Sequence, residues 1–196
     1  WYADFLEFVK KEKIFATLLS PSNYGLEDPH YRWDNWRNCE FNEILAFYAL
    51  HYWYTWQVSI LGLGPIWMSP NEEVKKKTAQ LLREGGIFAF GLSEKEHGAD
   101  IYSTEMKLIP QGDGTYKADG RKYYIGNANK AALVSTLGKM ADTGDFVFFA
   151  VGTALNHFFQ KAASAIHRHS RLTNLILLFF LFYAAFSPHI KAMLSS

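Results

Sequence analysis

The chain has 196 residues, which allows one large domain or two small ones and excludes a third. It is 49% hydrophobic, 20% charged and 17% aromatic, a composition that excludes a disordered chain and permits a sizeable core built from bulky rings. Lys and Arg number 20 against 19 Asp and Glu, so a net charge of +1 gives no reason to expect nucleic acid or an acidic partner.

That charge is unevenly placed. Residues 1–151 carry 16 basic and 19 acidic side chains, whereas the 45 residues after Val151 hold Lys161, Arg168, Arg171 and Lys191 and no acid. The single cysteine, Cys39, rules out an internal disulfide and fits a reducing compartment. Ala3-Asp4-Phe5-Leu6-Glu7 has neither a basic nor an apolar leader region. No signal peptide is read there, and the expected location is cytoplasmic or mitochondrial. A first residue of Trp1 reads as a fragment or a processed chain.

In chain order, residues 3–15 predict an amphipathic helix with Phe5, Phe8, Val9 and Phe15 opposite Glu7, Lys10, Lys11 and Lys13. Ser20 to Asn42 reads as connection, its run Tyr31–Trp36 as a packed loop or short helical turn. Ile44 to Asn71 has no formally charged residue and is long enough to span a bilayer. His51, Thr55, Gln57 and Ser59 lie inside it, and Tyr52, Trp53, Tyr54 and Trp56 are central rather than terminal. A helix buried in a multi-helix domain, ending near Gly62-Leu63-Gly64-Pro65, is the better reading. Ser69-Pro70-Asn71-Glu72 then predicts a helix start with Ser69 as cap, Pro70 at the first helical position and Glu72 completing a capping box, with Val74, Thr78, Leu81 and Leu82 facing inward and Gly85-Gly86 as the stop.

At Ile87 the pattern becomes strand-like. Ile87–Leu92 enters a polar turn, and Glu105–Pro110, Tyr116–Ala118, Lys122–Ile125, Ala132–Gly138 and Asp145–Val151 read as antiparallel strands, helped by Asp113-Gly114 and Asp119-Gly120. The fold class is α+β: a helical domain over 1–86, an antiparallel β domain over 87–151, and a tail over 152–196 that is helical or disordered.

Ser93-Glu94-Lys95-Glu96-His97-Gly98-Ala99-Asp100 follows a strand, so it offers backbone N–H groups, a hydroxyl and, at Gly98-Ala99, room for a ligand to reach the main chain. From these residues alone it is an anion or cofactor loop or an ordinary turn. Phe90-Gly91-Leu92-Ser93-Glu94 with Gly98-Ala99-Asp100, followed by Asp119-Gly120-Arg121-Lys122-Tyr123-Tyr124-Ile125-Gly126-Asn127, resembles two linked motifs of the acyl-CoA dehydrogenase family. These are its Leu/Val-Thr-Glu…Gly-Ser-Asp loop and its Asn-Gly-x-Lys-x-Trp-Ile-Thr-Asn strand. The resemblance covers roughly Ile44 to Val151.

It implies a flavoenzyme of fatty-acid β-oxidation in which FAD takes a hydride from the β-carbon of an acyl-CoA thioester. Phe90, Gly91, Leu92 and Ser93 would then border the flavin ring, with the Ser93 hydroxyl bonding its N5 and O4 edge. Gly98 and Ala99 would lie by the FAD pyrophosphate and the thioester tail, Ala99 therefore also beside substrate. Tyr124, Ile125 and Gly126 would form a strand in which Tyr124 packs beside the ring. Three departures stand out: Ala99 for Ser, Gly126 for Thr, and the bulky Glu96-His97. The resemblance also implies a dimer or tetramer for the parent protein, and an acceptor that is a flavoprotein or, as in acyl-CoA oxidases, oxygen.

The family's catalytic Glu sits in a C-terminal helical domain for which no segment here is a candidate, so the chain is expected to be inactive alone. Glu94, Glu96 and Asp100 are poor candidates for the base. The tail carries His157, His167, His169 and His189 and a twelve-residue apolar run, Leu175–Phe186. His167-Arg168-His169 reads as a basic patch rather than a metal site. The tail is expected to be foreign to the family, from a frameshift, retained intron or fragmentary gene model starting near Gly152. A non-catalytic isoform touching membrane through this tail is the competing reading.

Overall fold

The computed structural model describes residues 2–25 and 28–152 and the backbone of 165–168. Two short helices, α1 (Ala3–Lys11) and α2 (Ile14–Leu19), replace the single helix expected over 3–15, because Lys13 takes a left-handed φ of 52° that breaks the hydrogen-bond ladder. Of the expected apolar face Phe5, Val9 and Phe15 point inward, but Phe8 is 52% exposed. Phe5, Val9, Phe15 and Leu19 are buried, and the Phe15 ring meets those of Phe5 and Trp56 edge-on at 6.2 and 5.0 Å.

Much of the stretch read as connection is helical. Helix α3 (Asn35–Tyr48) starts where the Asp34 carboxylate accepts hydrogen bonds from the N–H groups of Trp36 and Arg37. It is not amphipathic in the usual sense: Asn38 and Asn42 are buried, while Ile44, Phe47 and Tyr48 are exposed. Ala49 is extended, and helix α4 (Leu50–Met68) follows, so the uncharged segment belongs to two helices. Helix α4 does not end at Gly62–Pro65 but runs through Pro65 to Met68. Gly62 serves closeness rather than a stop, since a Cβ there would lie 2.5 Å from the Ala89 carbonyl oxygen. Among the described residues, no helix is long and apolar enough to cross a membrane.

Helix α5 (Glu72–Arg83) starts two residues later than expected: its cap is Asn71, whose Oδ1 accepts from the Val74 N–H at 3.1 Å, while the Ser69 hydroxyl accepts from the Asn71 N–H and Pro70 lies before the helix. Its inward residues Thr78, Leu81 and Leu82 are buried. Gly85, at φ 84°, and Gly86 close it with N–H bonds back to Leu82 and Leu81.

Among the described residues six strands form one sheet: β1 (Phe88–Gly91), β2 (Lys107–Pro110), β3 (Tyr116–Asp119), β4 (Leu133–Met140), β5 (Phe146–Gly152) and β6 (Ala165–Arg168). The order is β3-β2-β4-β5-β6, with β1 also on β4. The sheet is mixed rather than antiparallel throughout. Strand β5 takes one edge of β4 in antiparallel register, and β1 and β2 lie along the other edge, both parallel to β4. Parallel pairing follows from the long crossing loops that return the chain in the same direction. Strand β6 lies inside the tail expected to be helical or disordered and instead pairs antiparallel with the edge that β5 leaves open. All other expectations for 153–196 lie outside the described residues.

Lys122–Ile125 is not a strand. Tyr124 and Asn127 take left-handed φ values of 61° and 62°, which a strand cannot hold, and the segment is a loop leading from β3 to β4. The boundary expected at 86 falls between α5 and β1. One apolar core spans it: Trp56, Leu63 and Ile66 of α4 cluster with Phe88, Leu133, Leu137 and Phe148 of the sheet.

Candidate functional site

The two motif segments, far apart in sequence, are stitched together beyond the end of β1. The Tyr123 N–H donates to the Ser93 carbonyl at 3.0 Å, and the Ser93 hydroxyl donates to the Tyr123 carbonyl at 2.9 Å. Below them Lys122 reaches across, its Nζ donating to the Leu92 carbonyl at 2.9 Å, Glu94 Oε1 at 2.7 Å and Thr104 Oγ1 at 3.0 Å. Glu94 is saturated with donors, accepting also from the Thr104 hydroxyl and from the N–H groups of Glu105 and Met106 at 2.8 and 3.2 Å.

Both members of this ion pair are buried. Burial works against the Glu94 charge, but Lys122, Thr104 and the two backbone N–H groups outweigh it and pull the carboxyl down to about 2. Burial pushes the Lys122 ammonium below its usual range, with Glu94 pulling the other way. A carboxylate so weakly basic and so fully engaged is a structural tie. It cannot serve as a proton acceptor for a substrate.

A second clamp was missed by sequence reasoning. Asn127 is 4% exposed, and its Nδ2 donates to the Thr55 carbonyl of α4 at 2.9 Å and the Phe88 carbonyl of β1 at 3.0 Å. It locks the 122–131 loop onto the helix and strand that carry the rest of the site. The available signal was the terminal Asn of the second motif, which the resemblance matched but assigned no role.

Other candidates are placed as follows. Phe90 is half-buried and stacks on Phe148 at 5.6 Å, and Gly91 packs beside Thr136, where a Cβ would lie 3.1 Å from Oγ1. Leu92 and Ser93 are half-buried at the strand end. The Ser93 proton is committed to Tyr123, so donating it to a ligand means giving up that bond. Gly98 has nothing within 4 Å of a built Cβ, and Ala99 is exposed beside it. Tyr124 is 88% exposed, a ring open to a partner; Ile125 is half-buried and Gly126 lies against Tyr54. The structure therefore brings Ser93 together with the 123–127 turn, and sets Gly98 and Ala99 on a separate exposed arm.

That arm is closed by the Glu94 N–H bonding the His97 carbonyl and by His97 Nδ1 at 2.9 Å from Asp100 Oδ2. Asp100 raises the His97 imidazole above its ordinary range. Ligand atoms of Glu94, His97 and Glu105 come within 4.8 Å of one another, yet both Glu94 oxygens are already occupied by donors. A cleft of about 750 Å³ between Tyr24, Glu72, Lys76 and Arg83 shares no residue with the loops.

The open Tyr124 ring and the unobstructed main chain at Gly98 leave room for a flat conjugated group with a phosphate-bearing tail.

The chain has the fold of the acyl-CoA dehydrogenases. Butyryl-CoA dehydrogenase from Megasphaera elsdenii superposes with a TM-score of 0.64 at 22% identity, over 79% of this chain and 41% of that one. An acyl-CoA dehydrogenase complexed with FAD from Bacillus anthracis gives 0.62 at 24% identity, over 78% of this chain and 28% of that one. PigA with FAD and proline gives 0.63 at 20% identity, over 76% and 40%. The chain thus spans about two-fifths or less of the length of these structures. No family model and no curated protein matches the sequence.

Proposed function

We propose that the described residues form the flavin-holding part of an FAD-dependent dehydrogenase of acyl-CoA thioesters. The observation that carries this is the buried Glu94–Lys122 tie, which joins the two motif loops into one open face within this fold. Solved structures of the same fold are described as complexed with FAD.

When bound, FAD supplies a ring able to accept a hydride from the β-carbon of a thioester. The protein's part is positioning. Phe90 to Ser93 would border the ring, the Tyr124 ring would pack against it, and Ser93 would offer its hydroxyl to the N5 and O4 edge by giving up its bond to the Tyr123 carbonyl. Gly98 and Ala99 leave the main chain open to the pyrophosphate and the thioester tail. Ala99 and Gly126 lack the hydroxyls of the family motif, so polar contacts there come from backbone or neighbouring side chains. Among the described carboxylates none is placed as a base, Glu94 least of all. Acyl-CoA turnover therefore needs a base from outside these residues. The electron acceptor is a flavoprotein or oxygen, and the parent assembly is a dimer or tetramer.

The test is a titration of the purified full chain with FAD, followed by flavin absorbance and by dye reduction with acyl-CoA. Saturable binding of FAD without acyl-CoA-dependent reduction is expected. A folded chain that stays colourless would overturn the flavin reading, and turnover would overturn the missing base.

A further inference from the structure

Gly126 and Tyr54 share one volume. A Cβ built on Gly126 would lie 2.6 Å from Tyr54 Oη, 2.9 Å from Cε1 and 3.0 Å from Cζ. Gly126 does not have a positive φ, so the missing side chain answers to space rather than to backbone conformation. The phenol of Tyr54 stands where a side chain at 126 would stand. This is also the position at which the sequence departs from the Thr of the motif it resembles.

The neighbouring residues fix this arrangement. Thr55, next to Tyr54, gives its carbonyl to Asn127, next to Gly126, at 2.9 Å. Tyr54 is 47% exposed and its hydroxyl has no hydrogen-bond partner among the described residues. Tyr124, two residues before Gly126, is open on the same loop. A placed but unengaged hydroxyl thus sits at the turn that carries the candidate flavin-facing ring, on a helix residue held by its neighbour.

We propose that Tyr54 is a ligand-contacting residue of this site, its hydroxyl supplying from α4 the hydrogen-bond donor that Gly126 lacks, toward the acceptor edge of a flat conjugated ring. This rests on the flavin reading above. The glycine at 126 is the other half of the device, since any side chain there would push the phenol away.

The test is a fluorescence titration of the full chain with FAD, together with the flavin absorbance bands and the melting temperature of the free protein. Tyr54→Phe removes only the hydroxyl and is expected to raise Kd about five- to tenfold, to shift the bound-flavin bands, and to leave the melting temperature unchanged. Gly126→Ala is expected to raise Kd similarly in the wild-type background and to add little to Tyr54→Phe. Tyr54→Ala with Gly126→Thr, which returns a hydroxyl from the other side, is expected to bind FAD more tightly than Tyr54→Ala alone. Unchanged Kd and bands for Tyr54→Phe, with wild type binding FAD, would overturn this inference alone. Absence of FAD binding by folded wild type would overturn it together with the flavin reading.

Discussion

Lys122 Nζ lies 2.7 Å from Glu94 Oε1, with the side chains 8% and 6% exposed, and this contact joins the loop after β1 to the loop before β4. An ion pair taken from water gains little over an apolar pair, but losing one partner strands the other. Lys122→Met is therefore expected to destabilise the fold by about 3 to 5 kcal/mol, and the double change Lys122→Met with Glu94→Leu by clearly less. Urea unfolding of the three proteins checks this; equal losses in single and double variants would contradict it.

The same pair sets an acid limb of stability. The folded Glu94 carboxyl titrates at about 2, below its ordinary 4.5, so its contribution is fully present above pH 4.5 and is lost as the pH falls through about 2. The loss is on the order of 3 kcal/mol. Glu94→Gln is expected to flatten the stability profile between pH 4.5 and 2, measured by urea midpoints at stepped pH.

His97 gives the opposite sign. Asp100 raises its imidazole above 6.5, so the contribution of the pair is present below pH 6.5 and is lost as the pH rises through the raised value. Asp100→Asn is expected to return the His97 titration, followed by its ring proton resonances, toward 6.5.

Asn127 is expected to be as important to the site as the residues facing it. Asn127→Ala removes the Nδ2 bonds to Thr55 and Phe88 and leaves two buried carbonyls without that donor, at a cost of about 2 to 3 kcal/mol. Hydrogen exchange should show faster opening of residues 122–131 than of α5, whose cap and core contacts are untouched. Uniform acceleration across the chain would argue against a local clamp.

What the sequence shows and what it hides divide on physical grounds. Helix α5 is legible because its inward face and glycine stop are local, though its cap is Asn71 rather than Ser69, and the β2–β3 hairpin because Asp113 bonds the Thr115 N–H within the turn. Helix α3 is hidden because it turns Asn38 and Asn42 inward and Phe47 and Tyr48 outward, which defeats periodicity. The loop at Tyr124 and Asn127 reads as a strand because Tyr123, Tyr124 and Ile125 follow an Asp-Gly turn, whereas its left-handed residues are held by the local bonds of the Lys130 and Ala131 N–H groups to the Asn127 carbonyl and by tertiary bonds from Asn127 to Thr55 and Phe88. The motif residues are recognisable one by one; that Lys122 holds Glu94 and that Tyr54 fills Gly126 are facts of packing between distant segments.

The central claim is that the face made by Phe90–Ser93 and Tyr123–Asn127 holds FAD. It is tested most directly by equilibrium titration of the full chain with FAD, comparing wild type with Tyr124→Ala, a change at an exposed side chain that leaves the core intact. Saturable binding by wild type, weakened about tenfold or more in Tyr124→Ala with an unchanged melting temperature, is the predicted result. No binding by a cooperatively folded wild-type chain, or equal binding by the two proteins, would contradict it.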